Sequence, residues 1–121
     1  MGDGLVNLTK DLVAASATPI ILGVLTAGED YGYSILRRIT EASAGRIEWS
    51  EGMLYPLLHR LEHQGLITAR WGEATLGRRR KYYSITPQGT AELNGQALQW
   101  RAVVDTLEGL FPPPIPRTVE A

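Results

Sequence analysis

The residues with the clearest capacity for chemistry are four consecutive cations in the second half of the chain. They are Arg78, Arg79, Arg80 and Lys81. Residues 46–81 hold seven Lys and Arg against four Asp and Glu, a net charge of +3, whereas residues 1–45 and residues 82–121 each carry −2. A basic segment between two acidic ones is what a polyanion-binding surface on an acidic body requires. The same run is also compatible with a solvated strand whose charged edge prevents aggregation.

A second candidate surface lies on one side of a predicted helix over residues 50–64. Ser50 is a suitable N-cap for this helix and Gly65 a suitable end. At 100° per residue, the core face carries Leu54, Leu57, Leu58 and Leu61. The opposite face carries Gly52, Tyr55, Pro56, His59 and His63. This outer face offers small, aromatic and hydrogen-bonding groups where a solvated helix would carry Lys and Glu, although Tyr55 and Pro56 are also compatible with a structural role.

Two further helical segments precede this helix. The apolar face of the first is formed by Leu5, Leu8, Leu12 and Ala15. Pro19, with Thr18 as its cap, predicts a break followed by a new or kinked segment. The next helix is predicted over residues 30–44, with Asp30 as N-cap and Gly45 as a left-handed exit. Its predicted buried stripe consists of Ile35, Ile39 and Ala42.

After Gly65 the apolar period changes from helical to alternating. Strands are predicted over residues 66–71 and 81–85, joined by a polar loop that ends in the four cations. Thr86 and Pro87 then open a last long helix. Its apolar residues form a heptad seam of Leu93, Ala97, Trp100, Val104, Leu107 and Phe111.

These elements predict a mainly α chain with a small β-hairpin, an α+β fold. The outline is a winged helix-turn-helix over residues 1–86, a dimerisation helix over residues 87–111 and a Pro-rich flexible tail over residues 112–121. A chain of 121 residues has the length of one domain, with 44% hydrophobic and 21% charged residues. No apolar run reaches the roughly 18 residues of a membrane span, so we expect a cytoplasmic protein without membrane contact.

Three strings of sequence, in this order and spacing, carry a resemblance to a known family. They are YGYSILRRI at 31–39, SEGMLYPLLHRLEHQGLI at 50–67 and GRRRKYYSITPQG at 77–89. Over residues 20–92 the chain resembles the PadR-like transcriptional regulators. The resemblance implies that residues 50–64 read a DNA groove and that residues 72–81 form the wing. The expected DNA-binding residues are Tyr31, Tyr33, Ser50, Met53, Tyr55, Pro56, His59, Arg78, Arg79, Arg80 and Lys81.

The resemblance also implies a homodimer formed through the last helix. The expected interface consists of Leu5, Leu8, Leu12, Leu93, Ala97, Trp100, Val104, Leu107 and Phe111. It further implies a planar aromatic effector between the subunits, stacked on Trp100 with Ala97 and Val104 beside it. Considered alone, a tryptophan at the position of Trp100 is most often an ordinary interface aromatic.

The sequence therefore predicts a homodimeric, ligand-responsive repressor that binds a pseudo-palindromic duplex operator. No catalytic residue, metal or cofactor is expected. Two alternatives stay open, a winged-helix module that binds protein instead of DNA, and a small zinc hydrolase that uses the H-x-x-E-H string of His59, Glu62 and His63. Hydrolytic zinc needs a third protein ligand, and Glu62 is turned about 100° from His63 toward the core side.

Overall fold

The computed structural model describes residues 8–73 and 76–111. Its elements are α1 (Lys10–Leu25), β1 (Asp30–Tyr31), α2 (Gly32–Ala42), α3 (Glu51–His63), β2 (Ile67–Trp71), β3 (Lys81–Ile85) and α4 (Pro87–Leu110). The strands form one antiparallel sheet in the order β1-β3-β2. The predicted α+β fold is confirmed, and β1 adds a third strand to the predicted hairpin. None of the described helices is both long and apolar enough to cross a membrane.

The inner face of α3 lies at the centre of the core. Leu54, Leu58 and Leu61 are fully buried, as the spacing predicts, and Leu57 is partly buried. The same cluster contains Ile21, Leu22, Leu25, Ile35, Ile39, Leu66, Ile67 and Tyr83. Burial of one large aliphatic side chain stabilises the fold by about 1.5–3 kcal/mol. The three leucines therefore fix the rotation of α3 about its own axis.

α1 continues through Pro19, so the predicted break is wrong. Proline lacks the N–H that would bond the carbonyl of Ala15, and a proline inside a helix costs roughly 3 kcal/mol. Ala15 is exposed, so water can satisfy its carbonyl. Beyond the proline, α1 buries Ile21, Leu22 and Leu25 in the core. The burial of these three side chains outweighs the lost hydrogen bond.

Asp30 lies in β1, and the prediction that it begins α2 is wrong by two residues. The helix begins at Gly32, but the Asp30 carboxylate still accepts hydrogen bonds from side chains near the start of α2. Asp30 Oδ2 accepts hydrogen bonds from Ser34 Oγ and from Arg38 Nη1, both at 2.9 Å. Asp30 is only 8% exposed. This network therefore ties the edge strand β1 to α2.

The end of α2 follows the prediction in part. Ile35 and Ile39 are buried, but Ala42 is exposed, and Ser34 is the other buried side chain. The helix ends at Ala42 because the chain then turns through positive φ angles, 54° at Ala44 and 82° at Gly45. The predicted left-handed exit at Gly45 is confirmed.

α4 projects much of its surface away from the rest of the chain. Of its 24 residues only Gly89 is buried. Of the predicted seam, Leu93, Trp100 and Val104 are half-buried, whereas Ala97, Leu107 and Phe111 are exposed. On α1 and just before it, Leu12 is exposed and Leu8 half-buried. The predicted interface residue Leu5 and the predicted tail, 112–121, lie outside the described residues.

The N-terminus of α4 is fixed against the sheet by a close backbone approach. Thr86 caps the helix as predicted, accepting a hydrogen bond from Gly89 N at 2.9 Å. A Cβ at Gly89 would overlap the carbonyl oxygen of Leu66 and lie 2.8 Å from Ile85 Cγ1. Only a glycine leaves room for this packing.

We expect Gly89→Ala to lower the free energy of unfolding by about 1–3 kcal/mol, because backbone atoms must shift to admit the methyl group. The matched control is Gly95→Ala on the same helix, where a Cβ meets nothing within 4 Å. That change should stabilise the protein by up to about 1 kcal/mol through helix propensity. Urea unfolding at one protein concentration measures both. Equal effects of the two substitutions would contradict the packing role of Gly89.

Candidate nucleic-acid interface

α3 presents its outer face to solvent because its inner face is buried. Ser50 caps the helix as predicted, with its hydroxyl accepting from Met53 N at 3.2 Å. Tyr55, Pro56 and His59 are exposed. Glu51, in the first turn, adds one acidic group to this end of the helix.

Tyr55 packs against the N-terminus of α2. Its ring and hydroxyl occupy the position that a Cβ at Gly32 would need, with Tyr55 Cζ 2.8 Å from that position. Tyr55 is nevertheless 43% exposed. Desolvation by the surrounding protein, together with the nearby charge of Glu51, raises the pKa of the Tyr55 hydroxyl above its usual value. Tyr55 thus both joins α3 to α2 and leaves part of its ring accessible to a partner.

The wing is the β2–β3 connection with its flanking residues. Three of its cations, Arg79, Arg80 and Lys81, lie against aromatic rings. Arg79 Cζ is 5.4 Å from the centroid of Trp71. Lys81 Nζ is 5.8 Å from the same ring and 3.8 Å from Glu62 Oε1. Cation–π contacts at such distances are attractive. These contacts hold the charged groups of Arg79 and Lys81 in defined positions.

Two tyrosines lie at the junction of β1 and α2. Tyr33 is 60% exposed. Tyr31 is half-buried, and its ring lies under the Arg80 guanidinium, with Arg80 Cζ 4.3 Å from the ring centroid. On β2, Arg70 bonds Glu29 through two hydrogen bonds and thereby lowers the pKa of that carboxyl below its usual value.

One open cleft of ≈ 800 Å³ is lined by residues of α3, of the β1–α2 junction and of the wing. Of the predicted DNA-binding residues, those that line it are Tyr31, Tyr33, Tyr55, His59, Arg78, Arg79, Arg80 and Lys81. Met53 and Pro56 share α3 with Tyr55, and Ser50 caps that helix, but none of the three lines the cleft. Arg78, Arg79 and Arg80 are exposed and Lys81 is half-buried. Three stretches that are separate in sequence thus border one concave surface.

The cleft also contains residues that the sequence analysis did not select. Trp71 is 54% exposed, and Leu76, near the wing tip with a φ of 53°, is 99% exposed. A large aromatic at the end of a strand, directly before a glycine-bounded loop that leads into the cations, is the signal that could have identified Trp71. Leu76 lies in a polar loop, where periodicity gives no information on side-chain direction.

The zinc alternative finds no support in the described residues. Within residues 8–73 and 76–111, no group of three or more His, Asp or Glu is arranged to hold a metal ion. Glu62 lies 3.8 Å from Lys81 Nζ, so it bridges α3 to the wing. His59 and His63 are both exposed.

Comparison with known proteins identifies the family. The model of the transcriptional regulator PadR-like family matches residues 21–95. The chain belongs to this family. The family is one of transcriptional regulators and not of enzymes, which confirms the predicted non-enzymatic role.

Three relatives illustrate the match. An uncharacterized protein X of Lysinibacillus sphaericus is 31% identical over 99 residues, 82% of this chain and 91% of that protein. A transcriptional regulator from Clostridium thermocellum superposes with a TM-score of 0.76 at 30% identity, covering 83% of this chain and 97% of its own. Bacillus subtilis PadR, solved in complex with operator DNA, has a TM-score of 0.63 at 28% identity, covering 87% of this chain and 52% of its own.

The contact between Tyr55 and Gly32 gives a spectroscopic prediction. In Gly32→Ala the new methyl group displaces the Tyr55 ring toward solvent, which removes much of its desolvation. We therefore expect the pKa of Tyr55 to fall toward the ordinary tyrosine value. NMR titration of 13C-labelled tyrosines, with Tyr55→Phe to assign the resonance, measures this shift. An unchanged Tyr55 pKa in Gly32→Ala would show that the ring does not rest on α2.

Proposed function

We propose that this PadR-like regulator is a homodimeric, ligand-responsive repressor that binds a pseudo-palindromic duplex operator. The observation that carries the proposal is the shared cleft, where the outer face of α3 and the cations of the wing border one surface. Operator DNA bound to Bacillus subtilis PadR, a relative with the same fold, supports the assignment of the partner.

The dimensions and chemistry of the cleft suit double-stranded DNA. The major groove is about 12 Å wide and admits one helix, and α3 is the element with an exposed aromatic and hydrogen-bonding face. In this proposal Ser50, Met53, Tyr55, Pro56 and His59 approach the groove. Arg78, Arg79, Arg80 and Lys81 contact the adjacent backbone, where their positive charges displace condensed counterions from the phosphates. Tyr31 and Tyr33 lie beside that backbone.

The surface of α4 supports the proposed homodimer. Leu107 and Phe111 are 39% and 50% exposed, although both belong to a heptad seam. Exposed apolar side chains at heptad spacing bury themselves when a second helix packs against them. In a two-fold dimer the two copies of α3 would be held about one helical turn of DNA apart, as a palindromic site requires.

The same seam supplies the proposed effector site. Trp100 is half-buried and lies between Ala97 and Val104 on one side of α4. Two symmetry-related Trp100 rings would offer flat, polarizable walls to a planar aromatic ligand. Such a ligand changes operator affinity only if it binds one spacing of the two reading helices better than the other. Any effect of planar aromatics on the DNA affinity of the unchanged protein should therefore be abolished in Trp100→Ala.

The phosphate contacts give a salt-dependent prediction. In Arg78→Ala/Arg79→Ala/Arg80→Ala, affinity for a duplex selected from a random pool should fall. The slope of log K against log salt should become shallower by about 0.9 for each phosphate that the variant no longer neutralises. Fluorescence anisotropy at several salt concentrations measures both quantities.

Lys10→Ala/Arg101→Ala is the control for loss of charge, since it removes two cations on α1 and α4, outside the cleft. Its salt slope should match that of the unchanged protein. A triple variant that retains the original affinity and slope would favour the alternative of a winged-helix module that binds protein.

The dimer seam gives a prediction of oligomeric state. Val104→Asp/Leu107→Asp should yield a monomer, because two buried carboxylates would face their symmetry mates without partners. The control is Leu98→Asp, which introduces one carboxylate at a position that is 71% exposed and off the seam. Analytical ultracentrifugation distinguishes the two states. A dimer that persists in the double variant would show that another surface joins the protomers.

A further inference from the structure

Four side chains form a continuous stack on the sheet at the edge of the cleft. Arg80 Cζ lies 4.3 Å from the centroid of Tyr31, and the rings of Tyr31 and Tyr82 meet edge to face with centroids 5.6 Å apart. Arg70 Cζ lies 5.0 Å from the centroid of Tyr82. The backbone register explains the order, because Tyr31 pairs with Tyr82 across β1 and β3, and Tyr82 pairs with Arg70 across β3 and β2.

The far end of the stack is held by an ion pair. Arg70 Nε donates to Glu29 Oε2 at 2.9 Å, and a second nitrogen of Arg70 bonds Glu29 Oε1. This bidentate geometry fixes the plane of the Arg70 guanidinium. It also neutralises the Glu29 carboxylate, which would otherwise repel a phosphate backbone. The stack thus runs from a neutralised ion pair to one exposed cation, Arg80.

Arg80 is the member of the stack that reaches the cleft with its charge free. Within the described residues no carboxylate lies within salt-bridge distance of Arg80. A long arginine loses rotamer freedom when it binds a phosphate, and a ring beneath the guanidinium removes part of that cost beforehand. A guanidinium whose carbon lies over a ring face can still offer N–H donors to a phosphate.

We propose that Tyr31 acts through its ring as a positioning residue, holding the Arg80 guanidinium in place for a DNA phosphate. This role rests on the proposed DNA binding. It adds that Arg80 contacts the phosphate and that Tyr31 positions Arg80. The ring of Tyr31 is required and its hydroxyl is not. A direct phosphate contact by the Tyr31 hydroxyl is the competing role, and it would require the hydroxyl.

A pair of substitutions separates the two roles. Tyr31→Phe keeps the ring and removes the hydroxyl, so it should bind the selected duplex within about twofold of the unchanged protein. Tyr31→Leu removes the ring and should weaken binding by about two- to fivefold per protomer, the range expected for removal of one exposed cation–π interaction. Equal losses of affinity in both variants would overturn the proposal in favour of a hydroxyl contact.

A double-mutant cycle with Arg80→Ala tests whether Tyr31 acts through Arg80. In the Arg80→Ala background, Tyr31→Leu should cause no further loss of affinity, because the side chain that it positions is absent. Two losses that multiply independently would overturn the positioning role. Circular dichroism checks that each variant is folded, and Tyr31→Ile, which is better suited to a strand, replaces Tyr31→Leu if that variant unfolds.

A measurement without DNA keeps this test separate from that of the proposed function. NMR relaxation of the Arg80 Nε–H group should show an ordered side chain in the unchanged protein and in Tyr31→Phe, and a mobile one in Tyr31→Leu. Mobility in all three proteins would overturn the proposal. If the unchanged protein binds no duplex at all, the proposed function fails first, and an ordered Arg80 would then report only a structural stack.

Discussion

Burial of the inner face of α3 is the constraint on which the arrangement of the surface depends. Leu54, Leu58 and Leu61 are inaccessible to solvent and meet side chains from α1, α2 and the sheet. Because these contacts fix the rotation of α3, the opposite face must point outward. The chain continues from Gly65 directly into β2, so the same burial places the wing beside that face. Three stretches that are separate in sequence then border one cleft.

Local signals in the sequence predict most of the elements. Leucine spacing predicts both faces of α3, Ser50 and Thr86 predict two caps, and alternation predicts strands β2 and β3. Each of these signals depends on interactions between residues within a few positions of one another, so it can be recognised in the sequence alone. The run of cations likewise identifies its own surface, since nothing in the chain could bury four adjacent charges.

The features that the sequence analysis missed depend on contacts between distant residues. β1 is only two residues long and exists because it pairs with β3. Pro19 is tolerated in α1 because the side chains beyond it are buried in the core. The contact of Tyr55 with Gly32 joins two helices. No periodicity within a single segment records any of these interactions, and the same holds for the ring that lies beneath Arg80.

The most direct test of a single DNA footprint uses the absence of cysteine from this chain. An iron chelate can be attached at one introduced thiol, in Leu76→Cys on the wing or in His63→Cys on α3. Cleavage of a bound, selected duplex is then mapped for each variant. Within each half-site, cuts from both positions should lie within about one helical turn of each other, roughly 10 base pairs. Cuts separated by more than that, or no cuts from one position while the duplex stays bound, would contradict a single footprint.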